Sequence, residues 1–336
     1  MKNPTLKPIS QQVILITGAS SGIGLVTARM AAAQGAKVML VARSAEALAS
    51  IAAEITAAGG TAAYAVADVG VIDELRAAAA KAVDELGPID TWVNNAGVAI
   101  YARLVDTPAD EHAQLFRTNY FGVVHGCLVA LEHLRGRTGA LITMGTIGSD
   151  IPSPILSAYA ASKFAVKAYV DALRMELALD KVPVAVTLIQ PAGVATPLAQ
   201  HAAVHVAGNA LIPGSPYDPT VVAHAILDAA QQVRRDVIVG GIGKLNVVAA
   251  KLFPRLLDLN SQRLVDTLVD YDSAPDTRNN LFTPSGPPHE RSALQAGKKT
   301  SLYTAAARTP WTLRAAALGA VVAVGSLLVR RATHAK

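Results

Sequence analysis

Seven short apolar runs recur between residue 12 and about residue 240: QVILIT, KVMLVA, TAAYAVA, DTWVNN, GALITM, PVAVTLI and DVIVGG. They are rich in β-branched residues, and most are continuously apolar rather than alternating, as strands buried on both faces must be. Between them lie stretches with apolar positions at helical spacing, among them LVTARMAAAQ, ELRAAAAKAVDEL and FAVKAYVDALRMELAL. This alternation predicts an α/β fold: a doubly wound parallel sheet of about seven strands covered by helices on both faces.

The rhythm stops near residue 240, so residues 10–240 are expected to form one domain that carries the site. GKLNVVAAKLFPRLL reads as an amphipathic helix up to the residue before Pro254, with Lys244, Lys251 and Arg255 toward one face. It opens a helical extension over 241–270. Residues 271–300 are polar and rich in Pro, Gly and Ser, the composition of a flexible linker. The segment 301–336 turns apolar again and is expected to form a C-terminal helix.

Composition sharpens this picture at the tail. The net charge of +5 divides into −2 for residues 1–239 and +7 for residues 240–336, so the basicity is C-terminal. No aromatic-studded basic stripe accompanies it, and no nucleic acid partner is expected. Ala315 to Val329 is uncharged but only about 22 Å long as a helix, short of the roughly 30 Å hydrocarbon core. Spanning would also carry Arg330, Arg331 and Lys336 across. Contact with an anionic membrane surface through 301–336 is therefore expected, with burial against a partner subunit as the alternative. The single cysteine, Cys127, permits no disulfide framework, and MKNPTLKPIS has no signal-peptide core. A cytoplasmic setting, peripheral on the inner face of a membrane, is the expectation.

TGASSGIG, Thr17 to Gly24, follows the first strand and opens the first helix. Gly18 allows a tight turn, while Gly22 and Gly24 let backbone approach a pyrophosphate at the positive end of the helix. The end of the second strand holds Ala42 and Arg43 where an acidic residue would select NAD, so NADP is expected and NAD is less favoured. Asp68 and Val69 after the third strand, and Asn94-Asn95-Ala96-Gly97 after the fourth, fall at strand ends where open α/β sheets bind ligands.

Tyr159 and Lys163 stand four apart at the start of a helical run and share a face. A phenol with a pKa of about 10 is a poor acid–base group at neutral pH, and a neighbouring ammonium favours its phenolate. Together with TGASSGIG, Asp68, NNAG, Asn119 in FRTNYFG, SAYAASK and PAGVATP, in this order and spacing, the chain resembles the short-chain dehydrogenase/reductase family over about residues 10–240. The resemblance implies a Rossmann-type fold, hydride transfer, and a homodimer or homotetramer assembled through helices within 108–134 and 157–180. It makes Tyr159 the acid–base, and has Lys163 bind the nicotinamide ribose and lower the tyrosine pKa. Asn119 would hold a water in the proton relay. It also implies cofactor contacts from Gly18, Ser20, Ser21, Gly22, Ile23, Gly24, Arg43, Asp68, Val69, Asn95, Ala96, Gly97, Pro191, Gly193 and Thr196.

One position departs from the family. Its substrate-binding hydroxyl is most often a serine about thirteen residues before the tyrosine; Gly145 and Thr146 stand there. Thr146 offers the same hydroxyl with an added methyl. Ser149 and Ser157 are its rivals, Ser157 being equally explained as a helix N-cap. His201 and His205 lack the company of a zinc site, so no metal is expected, and the stretch 194–216 reads as a substrate-covering segment. Cys127 reads as a small core residue. The expectation is an NADP-dependent oxidoreductase acting on a lipophilic carbonyl or secondary alcohol. The competing class is a non-catalytic dinucleotide-binding or membrane-scaffold protein that retains the fold.

Overall fold

The computed structural model describes residues 4–273 and 279–308. Seven strands form one parallel sheet: β1 (Val13–Thr17), β2 (Lys37–Ala42), β3 (Thr61–Val66), β4 (Thr91–Asn94), β5 (Gly139–Met144), β6 (Val184–Pro191) and β7 (Asp236–Val239). Their spatial order is β7-β6-β5-β4-β1-β2-β3, so the chain reverses direction across the sheet between β1 and β4. That reversal is the topological switch point of a doubly wound fold, where a crevice opens beyond the strand C-termini.

The strand pleat explains why these runs are apolar throughout. In β1, Ile14 and Ile16 pack into one helical layer while Val13 and Leu15 pack into the other. Each such aliphatic side chain contributes about 1.5–3 kcal/mol when fully buried. The first layer holds α1 (Gly22–Ala33), α2 (Ala45–Ala57) and α7 (Pro219–Ala229). The opposite layer holds α3 (Ile72–Leu86), α5 (Gly122–Leu134) and α6 (Ser157–Leu179). Between α4 (Ala109–Phe116) and α5 runs a π-helical turn, Arg117–Phe121. Such turns recur at functional sites.

Beyond β7 the chain continues as α8 (Gly241–Leu252), α9 (Pro254–Leu259) and α10 (Ser261–Asp266). The break at Phe253 falls before Pro254, as its sequence requires. Val269–Asp270 pairs antiparallel with Asn209–Ala210, tying the extension to the covering segment. A short α11 (Leu302–Arg308) packs against α7, α8 and β7, and Thr304 Oγ1 accepts from the Gly240 N–H at 3.0 Å.

Residues 279–298, read as linker from composition, have no helix or sheet strand but lie in fixed contact across the crevice. Leu281 is buried beside Val98, Leu115 and Ala203, Arg291 pairs with Asp218, and Glu290 pairs with Arg29. Composition suggested freedom because the strap makes its bonds through backbone carbonyls and a few charges, which leave no apolar periodicity. Most of the expected C-terminal helix lies outside the described residues. No described helix is long and apolar enough to cross a membrane.

Candidate active site

The crevice holds a cavity of about 880 Å³ lined by the C-terminal ends of β1, β2, β4, β5 and β6. That is large for a small-ligand pocket, which commonly falls within about 300–1,000 Å³. Of the residues expected to form the site, all but Gly24 and Asn119 line it.

The turn after β1 is built for backbone approach. Gly18 and Gly22 have φ of +65° and +54°, the left-handed region that side chains disfavour. Gly24 serves packing instead of lining: a Cβ there would lie 2.3 Å from the Gly18 carbonyl oxygen and 2.6 Å from Asn95 Nδ2. Asn95 braces the turn, donating through Nδ2 to the Thr17 carbonyl at 2.9 Å and the Gly18 carbonyl at 3.2 Å. Thr17 Oγ1 accepts from the N–H groups of Asn95 and Ala96 at 3.0 and 3.2 Å. Ser20, Ser21 and Ile23 border the cavity beside the first turn of α1, whose N–H groups have no partner inside the helix. A close, side-chain-free backbone at a positive helix end fits a dinucleotide diphosphate.

At the end of β2, Arg43 faces the cavity beside Asp68. Burial lowers the pKa of its guanidinium, with the Asp68 charge opposing that shift. Its nitrogens donate to the carbonyls of Leu281 at 3.3 Å and Phe282 at 3.1 Å, and to that of Asn280. Asp68 Oδ1 accepts from the Gly70 N–H at 2.8 Å, shaping the loop that presents Val69.

At the opposite end, α6 carries Tyr159 and Lys163 on one face. Lys163 is buried; its Nζ donates to the Met144 carbonyl at 3.0 Å and sits 5.9 Å from the centre of the Tyr159 ring. Burial pushes the Tyr159 phenol up to about 12, opposed by the Thr146 hydroxyl, and pushes Lys163 down to about 8. The ammonium expected to favour the phenolate thus lies over the ring, and desolvation dominates both groups. Thr146 holds its place as the cap of a short 3₁₀ turn, Ile147–Ser149, where Oγ1 accepts from the Gly148 N–H at 3.2 Å.

Asn119 occupies the π turn with both amide hydrogens donated. Oδ1 accepts from the Val98 N–H at 2.9 Å, and Nδ2 donates to the Val98 carbonyl at 3.0 Å and to Ser162 Oγ at 3.2 Å. The side chain therefore fixes the loop after β4 onto α6 instead of facing the cavity. Gly97 lies against this junction, where a Cβ would make ordinary contacts with Asn119 Oδ1 and Lys163 Nζ.

Neither rival hydroxyl lines the cavity. Ser149 and Ser157 bury their Oγ atoms without a hydrogen-bond partner among the described residues. Leu156, not Ser157, is the N-cap of α6. Pro191, Gly193 and Thr196 line the cavity after β6, and Gly193 lets Ile212 and Pro213 of the covering segment close in. His205 pairs with Glu111 at 2.8 Å while His201 lines the cavity. Among the described residues no cluster of His, Cys, Asp or Glu could hold a metal. Asn246 and Phe253 on the extension, and Asn280 and Pro284 on the strap, complete the wall without any motif that marks them.

Comparison with known proteins agrees with this geometry. The family described as short chain dehydrogenase matches residues 12–206. An uncharacterized oxidoreductase of Bacillus subtilis, YxnA, is 38% identical over 322 residues, covering 94% of this chain and 90% of its own. A short chain dehydrogenase/reductase from Burkholderia phymatum, solved with NAD, is 25% identical with a TM-score of 0.66, over 73% of this chain and 94% of that one. An alcohol dehydrogenase from Thermococcus sibiricus, solved with 5-hydroxy-NADP, is 25% identical with a TM-score of 0.60, over 68% and 95%. With a parallel sheet of seven strands, a glycine turn that fits a dinucleotide, and Tyr159 and Lys163 on one helix face, the chain belongs to the short-chain dehydrogenase/reductase family of oxidoreductases.

Proposed function

We propose that the protein is an NADP-dependent reductase that interconverts a lipophilic carbonyl compound and the corresponding secondary alcohol. The observation that carries this reading is the convergence of Tyr159, Lys163 and Thr146 at one end of a cavity whose other end is the glycine turn. The nicotinamide, bound with its diphosphate at the turn, supplies or accepts the hydride. Thr146 Oγ1 holds the substrate oxygen, and Tyr159 gives its proton to that oxygen as the carbon takes the hydride; oxidation reverses both transfers. Lys163, fixed by the Met144 carbonyl, binds the nicotinamide ribose. Asn119 acts through the loop it fixes, and its relay water stays part of the proposal.

Burial of Tyr159 suits the reductive direction, because a phenol held near 12 stays protonated at neutral pH and is ready to donate. The absence of an acid at the end of β2, where Ala42 and Arg43 stand, supports NADP. Ile147, Ile151, Leu156, Leu198, Phe253 and Leu264 around the cavity support a lipophilic substrate. Exposed apolar residues on α5 and α6, including Leu128 at 46%, Met175 at 67% and Leu179 at 81%, support a homodimer or homotetramer through these helices. The basic, apolar 301–336 supports contact with a membrane surface.

NADPH and NADH oxidation against a panel of steroid, fatty and aromatic ketones tests the reading. Turnover with NADPH that vanishes in Tyr159→Phe, with NADPH still bound, is the expected result. Bound NADPH and no turnover on any ketone overturns it in favour of a non-catalytic dinucleotide binder.

A further inference from the structure

Residues 279–298 run along the cofactor cavity, which Asn280, Pro284 to Pro287 and Lys298 line. At the adenosine end, the carbonyls of Asn280, Leu281 and Phe282 accept from Arg43, and Leu281 is buried as an anchor. Midway, Pro284 to Pro287 line the cavity. The His289 carbonyl accepts from the Gly22 N–H at 2.9 Å, within the turn that fits the diphosphate. At the nicotinamide end, the Ser292 N–H donates to the Ala195 carbonyl at 3.0 Å, beside Thr196.

Charges lock both sides. Glu290 pairs with Arg29 on α1 at 2.7 Å. Arg291 pairs with buried Asp218, the N-cap of α7. Burial alone would raise the Asp218 pKa, but Arg291 and Thr220 outweigh it and hold the carboxyl below its usual range. Further along, Gln295 exchanges bonds of 2.8 and 2.9 Å with the Ile212 backbone.

We propose that residues 279–298 are the outer wall of the dinucleotide site, a strap that must lift for the cofactor to enter or leave. The inference rests on the dinucleotide reading above. About 880 Å³ stays open beneath the strap, so it can stand as a wall over the cofactor once the carbonyls of His289 and of Asn280 to Phe282 yield Gly22 and Arg43 to the cofactor's phosphates. Leu281 is the only residue of the strap that is fully buried, so lifting the strap exposes little apolar surface. A closed wall excludes water from the hydride-transfer end and slows cofactor exchange.

The test uses the full chain and a triple variant, Leu281→Ala with Glu290→Gln and Arg291→Gln. NADPH association and dissociation are followed by stopped-flow fluorescence. Both rate constants should rise by at least about tenfold, with the Kd moving less than either. Unchanged rate constants overturn the strap as a gate. Faster association with unchanged dissociation, hence tighter binding, overturns it as a wall and makes it a plug lying where the nucleotide goes. Should the triple variant fold poorly, hydrogen exchange on the wild-type chain decides. Amides of 279–298 and of Gly22 should be protected by saturating NADPH, and exchange that ignores NADPH refutes the proposal. A wild-type chain that binds neither NADPH nor NADH overturns the dinucleotide reading itself, which the kinetic outcomes leave standing.

Discussion

Thr146→Val removes a hydroxyl and leaves the branched shape. Its Oγ1 accepts from the Gly148 N–H at 3.2 Å, donates to the Pro191 carbonyl at 3.4 Å and faces the Tyr159 phenol. Losing the cap costs about 1 kcal/mol of stability, which in a domain of this size lowers the Tm by roughly 2–4 °C. Losing a donor to the oxygen on which charge develops costs about 10²–10³ in rate, or about 2.7–4 kcal/mol. The catalytic loss should therefore far exceed the structural one. Initial rates of ketone-dependent NADPH oxidation, a thermal melt and a fluorescence titration with NADPH separate the two. We expect kcat/KM to fall by that factor with cofactor affinity intact, and Thr146→Ser to restore it to within a few fold. A Thr146→Val enzyme within threefold of wild type would refute the assignment, and a loss on Ser149→Ala instead would move the role into the 3₁₀ turn.

Other predictions concern separate parts of the site. Tyr159, held near 12, must ionise before it can act as a base. Alcohol oxidation should thus climb about tenfold per pH unit from 6 to about 7.5 and bend near pH 8, where Lys163 loses its charge, while ketone reduction does not rise on acidification below pH 7.5; paired pH profiles at saturating cofactor check this. Gly24→Ala places a Cβ against the Gly18 carbonyl and Asn95 and should abolish NADPH binding in a titration, even where circular dichroism shows a folded chain. Arg43→Asp should reverse the NADPH over NADH preference in kcat/KM, and an unchanged ratio would remove Arg43 from cofactor selection. Cys127, buried with its thiol pushed up to about 12, should resist iodoacetamide at pH 8 until the chain is unfolded.

Much of the sheet was legible because strands buried on both faces cannot alternate: KVMLVA and GALITM announce themselves by continuous apolarity. The glycine turn and the Tyr159–Lys163 pair were legible because their chemistry fixes residue type and spacing. The roles inside the site were less so. Gly24 looked like a phosphate contact, yet packing against Gly18 and Asn95 demands the glycine. Asn119 reads as a water holder, and what spacing does not encode is that its side-chain amide bonds Val98 and Ser162, a long-range tie between the loop after β4 and α6. The pairing of Lys163 with Tyr159 was legible, but not the burial that pushes the phenol up. The strap was the hardest to see, because a segment held through carbonyls to Arg43 and Gly22 has the same composition as an unattached one.

Deuterium transfer tests the central claim most directly. The enzyme is given NADPH carrying deuterium at nicotinamide C4, on the face it uses, together with any ketone it turns over, and the alcohol is analysed by mass spectrometry and NMR. One deuterium on the carbinol carbon, absent from the product of Tyr159→Phe because no product forms, is the predicted result. Alcohol formed without deuterium from either C4 face, or full activity in Tyr159→Phe, would contradict hydride transfer completed by a proton from this tyrosine.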